Sequence, residues 1–106
     1  ATITPLPAAK PDALSGDAKI NYNAAKKFGV EILPIRDFLT FHFSLITSNF
    51  IIVDALLGTG LAKDVRPPLL DVIKKTNRLR CPVLSVDIAS GISSDTGQIM
   101  GCAVKA

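Results

Sequence analysis

Cysteine is scarce in this chain: Cys81 and Cys102 are the only two. They stand far apart, form no C-x-x-C pair and have no histidine beside them, which argues against a zinc site and against a dithiol redox motif. They read as free thiols of a reducing compartment. Histidine is scarcer still, with His42 alone. Ser90 lies in Ile88-Ala89-Ser90-Gly91-Ile92, which lacks the first glycine of G-x-S-x-G. His42 precedes it, opposite to the order of an α/β-hydrolase triad, so the pattern argues against a serine hydrolase. Between Phe41 and Phe43, His42 reads as a core or boundary residue.

Long apolar runs are missing too. The longest, around Phe50 to Val53, is strand-sized and far short of the roughly 18 residues a membrane span needs, so no membrane partner is expected. Charge of one sign is also sparse, at net +3. The one basic cluster, Lys74, Lys75, Arg78 and Arg80, falls where a helix is expected to end. Cations there complement the helix dipole, so a solvated helix terminus is expected and no nucleic-acid partner. No signal-peptide pattern opens the chain and the first residue is Ala1, not Met. The expectation is a segment of a longer protein with the cytoplasm as its default compartment.

What is present is a globular composition, 48% hydrophobic and 20% charged over 106 residues, enough for one modest core and one domain, residues 1–106. Strand-like and helix-like stretches alternate, the signature of βα units. Ala1 to Leu6 predicts an edge strand at most, because of Pro5. Ser15-Gly16-Asp17 offers a cap and a first-turn acid before Ala18, Tyr22, Ala25 and Phe28 at helical spacing, and Gly29 is placed to end that helix. Val30 to Ile35 predicts a short strand, and Asp37 to Ser48 a short helix in preference to an irregular crossover.

Phe50-Ile51-Ile52-Val53 is apolar on both faces, which predicts a central parallel strand between helix layers. Pro67 and Pro68 fit the first turn of a helix whose buried stripe is Leu69, Leu70, Val72 and Ile73. Pro82-Val83-Leu84-Ser85-Val86 predicts the next strand, parallel to the first. Ser93-Ser94-Asp95-Thr96-Gly97 reads as a surface turn.

In an open parallel sheet, ligands bind outside the carboxyl ends of the strands. Asp54 and Asp87 occupy equivalent positions at two such ends, and a carboxylate there needs a cation, a donor or a ligand hydroxyl. Between them Gly58-Thr59-Gly60-Leu61-Ala62-Lys63-Asp64 forms a glycine-bearing loop where backbone N–H groups can approach a phosphate. Lys63 replaces the third glycine of G-x-G-x-x-G and the G-K-[ST] ending is absent, so neither a dinucleotide fingerprint nor a P-loop is present. The expected geometry puts Asp54 and Asp87 at one rim of the sheet, with the glycine turn between them.

Ile52-Val53-Asp54-Ala55-Leu56-Leu57-Gly58-Thr59-Gly60-Leu61, Arg66-Pro67-Pro68, and Val86-Asp87-Ile88-Ala89-Ser90-Gly91-Ile92 with Asp95-Thr96-Gly97 together resemble the NAD(P)H-hydrate epimerase family, also called the YjeF N-terminal domain. Ser15-Gly16-Asp17-Ala18 with Asn21 extends the resemblance over nearly the whole chain. It implies a partial α/β domain: a Rossmann-like open parallel sheet with helices on both faces in three αβα layers. It implies an isomerase that interconverts the R and S hydrates of NADH and NADPH in nicotinamide-nucleotide repair, with a bound potassium ion.

By position, Asp54 and Ser90 match the family's potassium ligands, Gly58, Thr59, Gly60, Leu61, Ala62, Lys63 and Asp64 its substrate-binding loop, and Asp87 a substrate-contacting acid that is the candidate general acid/base. A homodimer, and fusion to an ADP/ATP-dependent hydrate dehydratase domain, are further implications. Two departures stand out. Ala89 replaces the usual proline, and the family's upstream N-N-G-G-D segment does not occur in these 106 residues, so the fragment alone is expected to be inactive. The alternative reading is a non-catalytic binding or scaffold module of the same fold.

Overall fold

A computed structural model of the chain describes residues 3–43 and 49–106. These fall into two compact units, Ala1–Thr40 and Phe41–Ala106. The first holds a short 3-10 turn (Pro11–Ala13) and two helices, α1 (Gly16–Lys27) and α2 (Ile35–Thr40). Ser15 takes the N-cap position with extended backbone, but its hydroxyl makes no capping bond. The other end of α1 is closed by Gly29 at φ +78°. Its N–H donates to the Lys26 carbonyl while the Val30 N–H donates to that of Ala25, the paired bonds of a Schellman motif. The expected stripe is not a buried one: Tyr22 and Ala25 are half-buried, whereas Ala18 and Phe28 are exposed.

Two sequence expectations fail in this unit. No strand forms over 30–35, where Pro34 removes a ladder donor and Ile35 already opens α2. None forms over 3–6 either; one bond, from the Leu33 N–H to the Pro5 carbonyl, is what pairs these two extended stretches. Ala1 and Thr2, which belonged to that expected strand, lie outside the described residues. The helix expected from Asp37 to Ser48 is realised as α2, ending at Thr40; residues 44–48 lie outside the described residues.

The second unit is a β-α-β crossover: β1 (Ile52–Asp54), α3 (Leu69–Arg78) and β2 (Val83–Ser85). β1 and β2 pair in parallel with Ile52 opposite Val83, Val53 opposite Leu84 and Asp54 opposite Ser85. The helix starts directly after Pro67-Pro68, and its Val72, Ile73 and Thr76 are buried. Ile73 lies at the centre of the core with Val65 and Val104, and Leu69, Leu70, Val83, Leu56 and Leu57 pack around them. Lys75 and Arg78 occupy the last turn, as cations complementing the helix dipole should.

The α/β architecture therefore holds, with a sheet of two strands among the described residues. β1 is not central there, since its one partner is β2, and the face carrying Ile51, Val53, Leu84 and Val86 is exposed. Phe43 meets Phe41 edge-on with centroids 4.9 Å apart and Phe50 at 5.3 Å. His42 between them is exposed and not part of the core. Among the described residues no helix is long and apolar enough to cross a membrane.

Candidate functional site

Because β1 and β2 run parallel, Asp54 at the end of one and Asp87 just past the other reach the same rim of the sheet. Their side chains then meet different surroundings. Asp54 is buried, at 3% exposure. Its Oδ1 accepts from the Ser90 hydroxyl at 2.6 Å and from the Leu56 N–H at 3.3 Å, and its Oδ2 from the Ser85 hydroxyl and the Ser90 N–H, both at 2.8 Å. Four donors satisfy a carboxylate completely, which is what makes its burial tolerable.

Ser90 is fully buried, and each of its polar groups is used. Its hydroxyl also accepts from the Leu57 N–H at 2.9 Å, and its carbonyl accepts from the Val104 N–H at 2.8 Å. The start of the glycine loop is thereby tied to the end of both strands.

Asp87 is exposed and is the one non-glycine residue with positive φ, +70°, among the described residues. The Ile88 N–H donates across it to the Val86 carbonyl at 2.9 Å, closing a three-residue turn of the rare γ type. Such a backbone costs on the order of 1–3 kcal/mol for a residue with a side chain. The turn brings the carboxylate over the loop. Asp87 Oδ2 is 3.4 Å from where a β-carbon on Gly58 would stand. Gly58 thus leaves open the space between loop and acid, its φ being an ordinary one.

The rest of the predicted loop is exposed except for half-buried Leu61, and Val65 beyond it is anchored in the core. The Ser94 hydroxyl donates to the Thr59 carbonyl at 3.0 Å, so the tip of the 92–99 hairpin steadies the loop from outside. Lys63 and Asp64 are exposed, whereas Asp54 and Ser90 are buried.

Sequence reasoning missed Ser85, Ser94 and the Leu57 amide. Ser85 was signalled weakly, as a lone hydroxyl in an apolar strand. The other two arise from contacts 33 and 35 residues apart and leave no local trace.

In donor chemistry the cluster is of the kind that hard cations take. It joins a carboxylate, the Ser90 hydroxyl, and the Leu57 carbonyl 3.3 Å from that hydroxyl, all of them oxygens. No buried side-chain polar atom among the described residues lacks a partner. A cation there would therefore not fill an orphaned position and would have to take the place of hydrogen bonds that Asp54 already accepts.

The chain is similar to several curated proteins. A bifunctional NAD(P)H-hydrate repair enzyme Nnr of Thermofilum pendens is 38% identical over 99 residues, 92% of this chain and 19% of that protein. An NAD(P)H-hydrate epimerase of Weissella koreensis is 38% identical over 88 residues, 82% of this chain and 36% of the relative. One of Oenococcus oeni is 34% identical over 95 residues, 90% of this chain and 42% of the relative. The chain spans less than half the length of these curated relatives. The family described as "YjeF-related protein N-terminus" matches over residues 1–106, and the chain belongs to that family.

Proposed function

We propose that the protein carrying this chain is an isomerase that interconverts the R and S hydrates of NADH and NADPH, and so takes part in nicotinamide-nucleotide repair. The observation that carries this is the strained turn at Asp87, which spends backbone energy to hold an exposed carboxylate against the glycine loop. Relatives named for this epimerisation support the substrate class.

In the hydrate, the reacting carbon bears both a hydroxyl and the ring nitrogen. Protonating the hydroxyl lets it leave as water while the nitrogen lone pair stabilises the ring cation, and water returns on either face. Asp87 is the general acid and base of this exchange. The amides of Gly58 to Asp64 receive the phosphates and ribose at the rim. Asp54 and Ser90 would hold a potassium ion, which when bound supplies a positive charge offsetting the repulsion between the rim carboxylates and the substrate phosphates. A cytoplasmic homodimer belongs to the same reading. So does fusion to a hydrate dehydratase, supported by relatives named bifunctional.

The test is to supply the full-length protein with purified S hydrate and follow the isomer ratio by chromatography. Asp87→Asn is the informative variant, because asparagine keeps the shape of the side chain and removes the carboxylate that takes and gives the proton. It should cut kcat by about 10²-fold or more with little change in KM. Wild-type protein that fails to hasten equilibration would refute the activity, and a fully active Asp87→Asn would refute the role of the acid.

A further inference from the structure

Behind the rim, the segment from Met100 to Lys105 is pinned on two sides. On one side the Met100 N–H donates to the Gly91 carbonyl and the Val104 N–H to the Ser90 carbonyl, both at 2.8 Å. On the other stands Asn77, in the last turn of α3. Its Nδ2 donates to the Ala103 carbonyl at 2.8 Å and its Oδ1 accepts from the Lys105 N–H at 2.8 Å. One side-chain amide thus supplies the donor and the acceptor that a neighbouring strand would offer to an extended backbone. Ala103 and Val104 are buried and the bond to the Ala103 carbonyl is partly so, so its loss is not made good by water without cost, whereas the bond from Lys105 is exposed.

We propose that Asn77 is a positioning residue for the rim: by holding residues 103–105 from behind, it fixes the Ser90 backbone, and through Ser90 the carboxylate of Asp54 and the turn that carries Asp87. The path alternates hydrogen bonds with single links of backbone: Asn77 bonds Ala103 and Lys105, their neighbour Val104 bonds Ser90, and Ser90 bonds Asp54 and Leu57. Ser90 lies three residues beyond Asp87, and that short stretch of chain is the route by which slack in the 103–105 segment would reach the acid. Small displacements of this kind, made far from the reacting atoms, lower turnover more than binding. The part of this inference that concerns turnover rests on the epimerase reading; the part that concerns geometry does not.

The experiment uses the full-length protein with two substitutions. Asn77→Ala removes both bonds. Asn77→Asp keeps the acceptor for Lys105 and removes the donor to Ala103. In variants that remain folded, the amide resonances of Ser90 and Val104 should move. With S hydrate as substrate, kcat should fall about tenfold in Asn77→Ala and at least as much in Asn77→Asp, where a carboxylate oxygen faces the Ala103 carbonyl in place of a donor, while KM stays within about twofold. Wild-type kcat in a folded Asn77→Ala overturns the proposal, and so does a failure of both variants to fold, since Asn77 would then serve the fold as a whole. If the wild type does not epimerise, that result sinks the functional reading alone. The amides then decide: movement of Ser90 and Val104 upholds the positioning role, and unmoved resonances overturn it.

Discussion

At Gly91 two constraints meet. Its φ of +98° is one that residues with side chains rarely adopt, and a β-carbon there would collide with the Cys102 carbonyl oxygen and lie 2.7 Å from the Ala103 α-carbon. Backbone and packing penalties of about 1–2 and 1–3 kcal/mol combine. Gly91→Ala should therefore lose about 3 kcal/mol in urea unfolding; a loss below about 1 kcal/mol would mean that the 102–103 backbone can step aside.

Cys81 offers a test of a different kind, since burial pushes its thiol up from the ordinary value. The folded protein thus favours the protonated thiol. The stability this contributes is complete below the unfolded-state value and is lost as pH rises through the folded one. Alkylation of Cys81, followed by mass spectrometry, should show a rate-against-pH curve displaced to higher pH in the folded chain than in urea. Coincident curves would dismiss the effect.

Among elements, the β1-α3-β2 crossover was legible because each part carries a local signal: a doubly apolar run, a proline pair before an amphipathic stretch, a second apolar run. The Val30 to Ile35 strand was misread for the same reason. Apolar composition alone cannot tell a strand from an extended segment lacking a partner, and Pro34 tips that balance.

The open face of the two-stranded sheet has a consequence in solution. Val53 and Leu84 are register partners, 55% and 61% exposed, with Ile51 and Val86 beside them. A contiguous apolar patch of this kind attracts other apolar surface. The 106-residue chain should bind the dye ANS, and Leu84→Lys should weaken that signal while changing stability by less than about 0.5 kcal/mol. Equal dye binding by both would place the sticky surface elsewhere.

For the molecule as a whole, ordered motifs on either side of α3 made the family readable, and parallel topology made the common rim of Asp54 and Asp87 readable as well. The divergence of the two acids was not. Whether a strand-end carboxylate turns inward or outward depends on donors brought from Ser85 and Ser90, 31 and 36 residues away, and on a γ-turn that no residue type encodes unaided. Glycine-loop glycines were likewise ambiguous until Gly58 was found facing Asp87.

The length of these connections also sets an order of events during biosynthesis. A nascent chain that has emerged only as far as α3 carries Asp54 without Ser85 or Ser90, a naked acid beside an apolar strand. The knot at the rim closes after residue 90 has left the ribosome, and Asn77 finds its backbone partners only once Lys105 has followed. Until residue 85 has emerged, β1 has no strand to pair with among the described residues, and the crossover is held by α3 alone.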